Sequence, residues 1–383
     1  MKLRVPTRYI SAWCLASISA WFLCNTGVAA HSEGAPVRSR ARYTHHQRPR
    51  LEISFDTSAV DQLLAFIANK QATPDEVNRW MSLPANQYIL QVGSQEGGLS
   101  LNQFKENLSA AIDEVGDTKG ADPFDVGNLS IHDVNNTKAM FTRLKKTLDQ
   151  RAMHIVFRDI AFEPSNISVN TKVYLHLGGD WDAVNSDGAI YVNIRFWTEG
   201  VVPSWDGLNM VVAHELMHSI QNEAYGNPER QDDSAGAFLT ALSKIQREGT
   251  ARYVEFNTDF TAYGRDTYGF EYRAIDSEHL RDFRTDVRQL QDLYDACYPK
   301  FDHPKFVEAF GAGINEGGPY YDIGEAIAQA IDTKLGRPAL IKTISFGPKA
   351  FFMDYDQLCR HDDALPKLPP AFAKAVSSMR PRL

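Results

Sequence analysis

The sequence predicts a mostly helical α+β fold in which a small sheet precedes the helix that carries His214. Three observations predict it. Apolar residues at helical spacing run through residues 51–150 and resume at 207. Between those stretches, Val173, Leu175 and Leu177 alternate with Tyr174 and His176. Ile190, Val192, Ile194 and Phe196 likewise alternate with Tyr191, Asn193 and Arg195, and a period of two belongs to strands. From Leu208 to Ile220, the residues Leu208, Val211, Val212, Leu216, Met217 and Ile220 form a wide apolar face, so this helix is expected to be buried.

The elements follow in chain order. Residues 1–30 read as a signal peptide: Lys2, Arg4 and Arg8 form a basic start, Ile10 to Leu23 is mostly apolar, and Val28-Ala29-Ala30 is a small-residue cleavage site. The apolar run is short for a membrane span, and the bulky residues before Cys24 speak against a lipoprotein. The expected location is periplasmic or secreted. Residues 31–50, with Arg38, Arg40, Arg42, Arg48 and Arg50 and almost nothing apolar, are expected to be a disordered basic linker. Residues 51–150 form an N-terminal helical region. Val60, Leu63, Leu64 and Ile67 mark one helix there, Thr73-Pro74-Asp75-Glu76 a capping box, and Phe141, Leu144 and Leu148 another helix. Residues 151–360 hold the two strands, with Asp180 to Gly188 as a turn-rich connection, and the later helices. One of these carries Leu280, Phe283, Val287, Leu290 and Tyr294, and another runs from Glu325 to Leu335 with Gly336 just past its end. Residues 361–383, rich in Pro and charge, are expected to be a frayed tail.

Composition narrows the function. With 43% hydrophobic and 11% aromatic residues, the 383-residue chain can build a large core. Residues 1–30 carry three Lys/Arg and no Asp/Glu, so their removal takes the formal charge from −8 to −11. A nucleic-acid partner, which needs a basic footprint, is thereby disfavoured. Beyond the signal, no run is long enough to span a membrane. Cys297 and Cys359 remain after cleavage, either as one disulfide, which an oxidising compartment permits, or as two buried thiols.

The chemistry is concentrated in His214-Glu215-Leu216-Met217-His218, which has the His-Glu-x-x-His pattern. Residues four apart on a helix share a face, with Cβ atoms about 5–6 Å apart. Two imidazoles so placed can both reach one Zn²⁺ at about 2.0–2.1 Å. Glu215 is then available as general base toward a water that the metal acidifies. Asp206 or Ser204 can cap this helix, and Gly226-Asn227-Pro228 ends it.

A catalytic zinc normally takes three protein ligands. A downstream His in the extended pattern His-x-x-Gly-x-x-His is ruled out, because Gln221 and Ala224 occupy the required positions. Glu248 is the leading candidate. It falls on the apolar stripe of Phe238, Leu242, Ile245, Arg252 and Phe256, where a carboxylate needs a metal or a cation. Gly249 beside it costs helix stability, which a close approach to another helix or to a metal would explain. The competing readings are an ion pair of Glu248 with an Arg such as Arg252, or Asp232 or Asp233 as the ligand.

These segments carry a resemblance. His-Glu-x-x-His followed by Glu248-Gly249-Thr250-Ala251-Arg252-Tyr253 resembles the gluzincin group of zinc metallopeptidases. Gly318-Pro319-Tyr320-Tyr321-Asp322-Ile323-Gly324 and Leu335-Gly336-Arg337 resemble the C-terminal part of uncharacterised secreted members. The similarity covers roughly residues 170–350. The interval between His218 and Glu248 is longer than in thermolysin-like enzymes. The resemblance implies a zincin-like catalytic domain over 151–360, with Zn²⁺ held by His214, His218 and Glu248 and with Glu215 as the base. It also implies a residue that stabilises the oxyanion. Tyr321 is the candidate, with Tyr320, His279 and His303 as competitors. The expected activity is hydrolysis of peptide or protein substrates. The alternatives are a zinc-binding module without activity and a zinc hydrolase of non-peptide amides or esters.

Overall fold

The computed structural model describes residues 50–96, 99–113, 134–164, 167–178, 182–194, 205–226, 233–256, 286–314 and 318–379. The signal peptide, Ser204, Asn227-Pro228, Asp232, His279, Leu280 and Phe283 lie outside them, and so does the linker except its last residue. The described part is mostly helical with one four-stranded sheet, as the alternation of periods predicts.

The sheet is built from β1 (Arg50–Asp56), β2 (Ser168–His176), β3 (Ala183–Ser186) and β4 (Ala189–Asn193), in the order β1-β2-β4-β3. β1 and β4 both pair parallel to β2, and β3 pairs antiparallel to β4. Two strands depart from the sequence expectation. Leu51, Ile53 and Phe55 alternate with Glu52, Ser54 and Asp56 in β1, where the linker boundary and a helical stretch are expected. Arg50 is already in register with Ser168. β3 lies inside the expected turn, and its four half-buried residues are too few to show a period. The two strands legible in the sequence are therefore the central ones, and β1 and β3 are the edges.

Among the described residues, six α-helices lie between β1 and β2: α1 (Ser58–Asn69), α2 (Pro74–Met81), α3 (Pro84–Glu96), α4 (Leu101–Asp113), α5 (Val134–Lys145) and α6 (Leu148–Asp159). Thr73 and Glu76 form the capping box that opens α2. Leu148 opens α6 and does not continue α5. On one sheet face, Tyr88 of α3 stacks on Tyr191 at 4.1 Å. On the other face, Val169, Thr171, Val173 and Leu175 turn inward.

Beyond the sheet come α7 (Trp205–Ala224), α8 (Ser234–Phe256), α9 (Gln289–Cys297), α10 (His303–Ile314), α11 (Pro319–Leu335), α12 (Arg337–Phe346), α13 (Pro348–His361) and α14 (Pro370–Ser378). α7 and α8 are buried nearly all round, which is the pattern of central helices. Thr171 of β2 and Asn185 of β3 both bond Ser219, at 3.3 and 2.7 Å, and pin α7 to the sheet. α8 packs on α7 and on α11. The expected frayed tail is instead the helix α14: Phe372 and Val376 are buried, and Phe372 packs edge-on against Phe238 and Phe352. An aromatic anchor outweighs the local Pro and charge. Cys297 and Cys359 are both free and buried.

Gly249 meets α11 at Gly324. A Cβ on Gly249 would lie 2.1 Å from the Gly324 carbonyl carbon. Gly249→Ala is therefore expected to destabilise the fold by about 3 kcal/mol, the upper range for overpacking, as read by urea denaturation. A second expectation concerns His176, which is fully buried in β2, with burial pulling its pKa down to about 3. Its folded pKa lies below its unfolded one, so its contribution is intact above about pH 6.5 and is lost as pH falls toward 3. Stability measured across that window should drop by up to about 1.4 kcal/mol per pH unit from this group, and His176→Gln should flatten the slope.

Candidate metal centre

α7 presents His214 and His218 on one face, with ring centroids 4.9 Å apart and planes nearly perpendicular. α8 brings Glu248 to them. His214 Nε2 lies 3.3 Å from Glu248 Oε2, and His218 Nε2 lies 3.4 Å from Oε1. The three side chains are 7–13% exposed. One ligand atom from each falls within 4.8 Å of the others, so the cluster could hold a metal ion.

The other nitrogen of each ring is also held. His214 Nδ1 bonds Glu255 Oε2 at 2.9 Å, and His218 Nδ1 bonds Gln221 Oε1 at 3.0 Å. The Gln221 amide nitrogen donates to the Arg247 carbonyl at 3.1 Å, which fixes the direction of that amide. With acceptors on both Nδ1 atoms, a hydrogen held on each Nδ1 would free both Nε2 atoms for a metal. Two imidazole nitrogens and one carboxylate form a donor set that suits zinc and leaves room for a fourth ligand. The residues present fit the metal.

The charges are strongly coupled. Burial works against the Glu248 charge, but Lys244, His218 and His214 outweigh it and hold the carboxyl well below its usual range. The Lys244 ammonium donates to Oε1 at 2.6 Å, so the cation at helical spacing is the one preceding Glu248 and not Arg252. Arg252 instead forms ion pairs with Asp322 and Glu325. Burial opposes the charge on His214 as well, but Glu248 and Glu255 raise its pKa well above the usual value. Asp182, at the start of β3, is pushed up to about 6 by burial and by the charges of Glu215 and Glu255.

Glu215 is buried on α7, and its backbone carbonyl accepts from Asn185 at 2.8 Å. Tyr321 lies in the first turn of α11, near enough to Glu248 and Glu215 for their charges to act on its phenol. Burial and the charges of Glu248 and Glu215 push its phenol well above the ordinary value, so it stays a neutral donor. Thus His214, His218, Glu248, Glu215 and Tyr321 converge. The rivals do not. Tyr320 is a core residue whose hydroxyl donates to the Ala309 carbonyl, and a Cβ on Gly313 would collide with its ring. His303 begins α10 at the surface beside Phe301. Asp233 caps α8, accepting from Gly236 N–H at 2.7 Å. Sequence reasoning did not find Glu255, Gln221 or Lys244. Their signal was positional: Glu255 lies two helical turns after Glu248, Lys244 one turn before it, and Gln221 one turn after His218.

A family described as "Putative zinc dependent peptidase (DUF5700)" matches residues 77–364, well over half of the chain. The comparison with curated proteins found no match, and neither did the comparison with solved structures. The matched span contains every residue of the cluster.

The purified protein is expected to carry about one zinc per chain. His214→Ala, His218→Ala and Glu248→Gln should each lose most of it by elemental analysis, and Asp233→Asn should keep it. Glu255→Gln should weaken zinc binding by about 10–100-fold in a competition titration with a chelating dye, as for other partners that orient a ligating His.

Proposed function

The chain belongs to this family of zinc-dependent peptidases, and from that membership and the geometry of the cluster we propose that it is an exported, gluzincin-type peptidase. Zn²⁺ would be held by His214, His218 and Glu248. The convergence of two imidazoles and one carboxylate from α7 and α8, next to Glu215 and Tyr321, carries the reading. When bound there, zinc supplies a Lewis acid that acidifies water and polarises a carbonyl.

The rest is done by side chains. Glu215 takes the proton of the attacking water on its carboxylate and delivers it to the leaving amine. Tyr321 donates its phenol hydrogen to the oxygen on which charge develops, and its raised pKa keeps that hydrogen in place at neutral pH. Lys244 and Glu255 hold the charges and ring orientations that the two steps need.

The substrate would enter as an extended chain. Among the described residues β3 is an edge strand, and Asn185 on it donates to the backbone carbonyl of Glu215. A peptide paired along that edge would pass next to the base. Export rests on the basic, apolar and small-residue segments of residues 1–30. Among the described residues, no helix is long and apolar enough to cross a membrane.

Glu215→Gln separates base from ligand. It is expected to retain zinc while hydrolysis of a peptide library, read by mass spectrometry, falls by at least about 10²-fold. Loss of zinc in that variant would mean that the roles are wrongly divided, and full turnover would remove the mechanism.

A further inference from the structure

α8 and α11 touch through backbone. Besides the Gly249 contact, a Cβ on Gly324 would lie 2.2 Å from the carbonyl oxygen of Ile245. Helix pairs normally take their crossing angle from side-chain ridges set in grooves. Two glycines in contact provide no ridge: they set a distance and leave the rotation of one helix on the other to their neighbours.

Arg252 is one neighbour that supplies such a constraint. It lies one turn beyond Glu248 on α8 and is 7% exposed. Its Nη1 is 3.1 Å from Asp322 Oδ1, and its Nε is 3.2 Å from Glu325 Oε2. Both carboxylates are buried, and Phe256 of the same helix lies 5.5 Å below the guanidinium. Asp322 immediately follows Tyr321, and Glu325 is one turn after it. A planar guanidinium gripping two carboxylates on one helix defines an angle, which a single ammonium does not. A buried ion pair is weak evidence for stability, and its best-attested use is to select one arrangement over others. On the same pair of helices, the charges of Glu248, Glu215 and Arg252 are all near enough to act on the Tyr321 phenol.

We infer that Arg252 is a positioning residue for the reaction: by holding Asp322 and Glu325, it sets the rotation of α11 that keeps the Tyr321 phenol against Glu248 and Glu215. The inference rests on the proposed role of Tyr321. It is therefore tested first by where that ring sits and only then by turnover.

The experiment places 3-fluorotyrosine at position 321 of the zinc-loaded full chain and records its ¹⁹F spectrum. One narrow resonance is expected in the parent. Arg252→Lys, which keeps the charge but not the fork, should broaden, split or shift it, and Glu325→Gln should do the same even if Arg252→Lys does not fold. Tyr253→Phe is the control: it removes another bond between the same helices, the 2.7 Å contact with Asp332 at the far end of α11, and should leave the resonance unchanged. An unchanged resonance in folded Arg252→Lys and Glu325→Gln overturns the inference, and so does an equal change in Tyr253→Phe. Turnover of fluorescein-labelled casein gives the second reading. Arg252→Lys should lower it by about 10-fold in the parent but less than about 2-fold in a Tyr321→Phe background, because coupled residues are not additive. Equal losses in both backgrounds overturn the inference. If Tyr321→Phe alone leaves turnover intact, the role of Tyr321 fails, and the resonance still decides what Arg252 does.

Discussion

The buried carboxylate of Glu248 is the charge on which the rest of this structure depends. A lone carboxylate in a helical core would cost more than packing could return. Here it is met from three directions: His214 on one oxygen, His218 and Lys244 on the other, and the Tyr321 phenol beside them. The partners come from three helices, so α7, α8 and α11 must all be in position before the charge is satisfied. The cluster is thus a constraint on the fold as much as a product of it.

That constraint explains the unusual packing. To bring Tyr321 onto a carboxylate that already faces α7, α11 must lie against α8 at backbone distance, which only the Gly249–Gly324 contact allows. The glycine contact itself has little hold on the rotation of the two helices, and the chain adds fixed pairs beside it. Arg252 grips Asp322 and Glu325 near Tyr321, and farther along Tyr253 donates to Asp332, which also takes a two-point bond from Arg337.

The pattern of legibility follows from how far each residue's role depends on contacts outside its own helix. His214, Glu215 and His218 were legible because five consecutive residues carry the whole geometric requirement. Glu248 was legible because a carboxylate on an apolar stripe is an anomaly within its own helix. The ion-pair alternative named Arg252 as its cation: helical spacing offers Lys244 and Arg252 equally, and only the position of α11, which draws Arg252 to its carboxylates, decides between them. Glu255 and Gln221 were not legible, since an acidic or amide residue near a helix end looks like solvated surface until another ring is placed against it. The outer strands failed for a different reason. β3 is too short to show a period, and β1 follows a basic segment that masks its alternation. The packing of α14 is set by Phe372, whose partners lie on α8 and α13.

The outer partners also set what the imidazoles can carry. Glu255 and Glu248 bracket His214 and favour a positive charge at that ring, which either a proton or a metal ion can satisfy. The two compete for the same Nε2 lone pair, so the acidic surroundings that would make a dication welcome also raise its proton competitor. Glu255 resolves part of this conflict through geometry. By accepting from Nδ1, it keeps a hydrogen on the nitrogen that faces away from Glu248 and leaves Nε2 as the only position where metal and proton exchange. Gln221 does the same for His218 without adding charge, because its amide is locked by the Arg247 carbonyl. The asymmetry, one ring backed by a carboxylate and the other by a neutral amide, limits the negative charge around a cluster that already holds Glu215, Glu248 and the nearby Asp182.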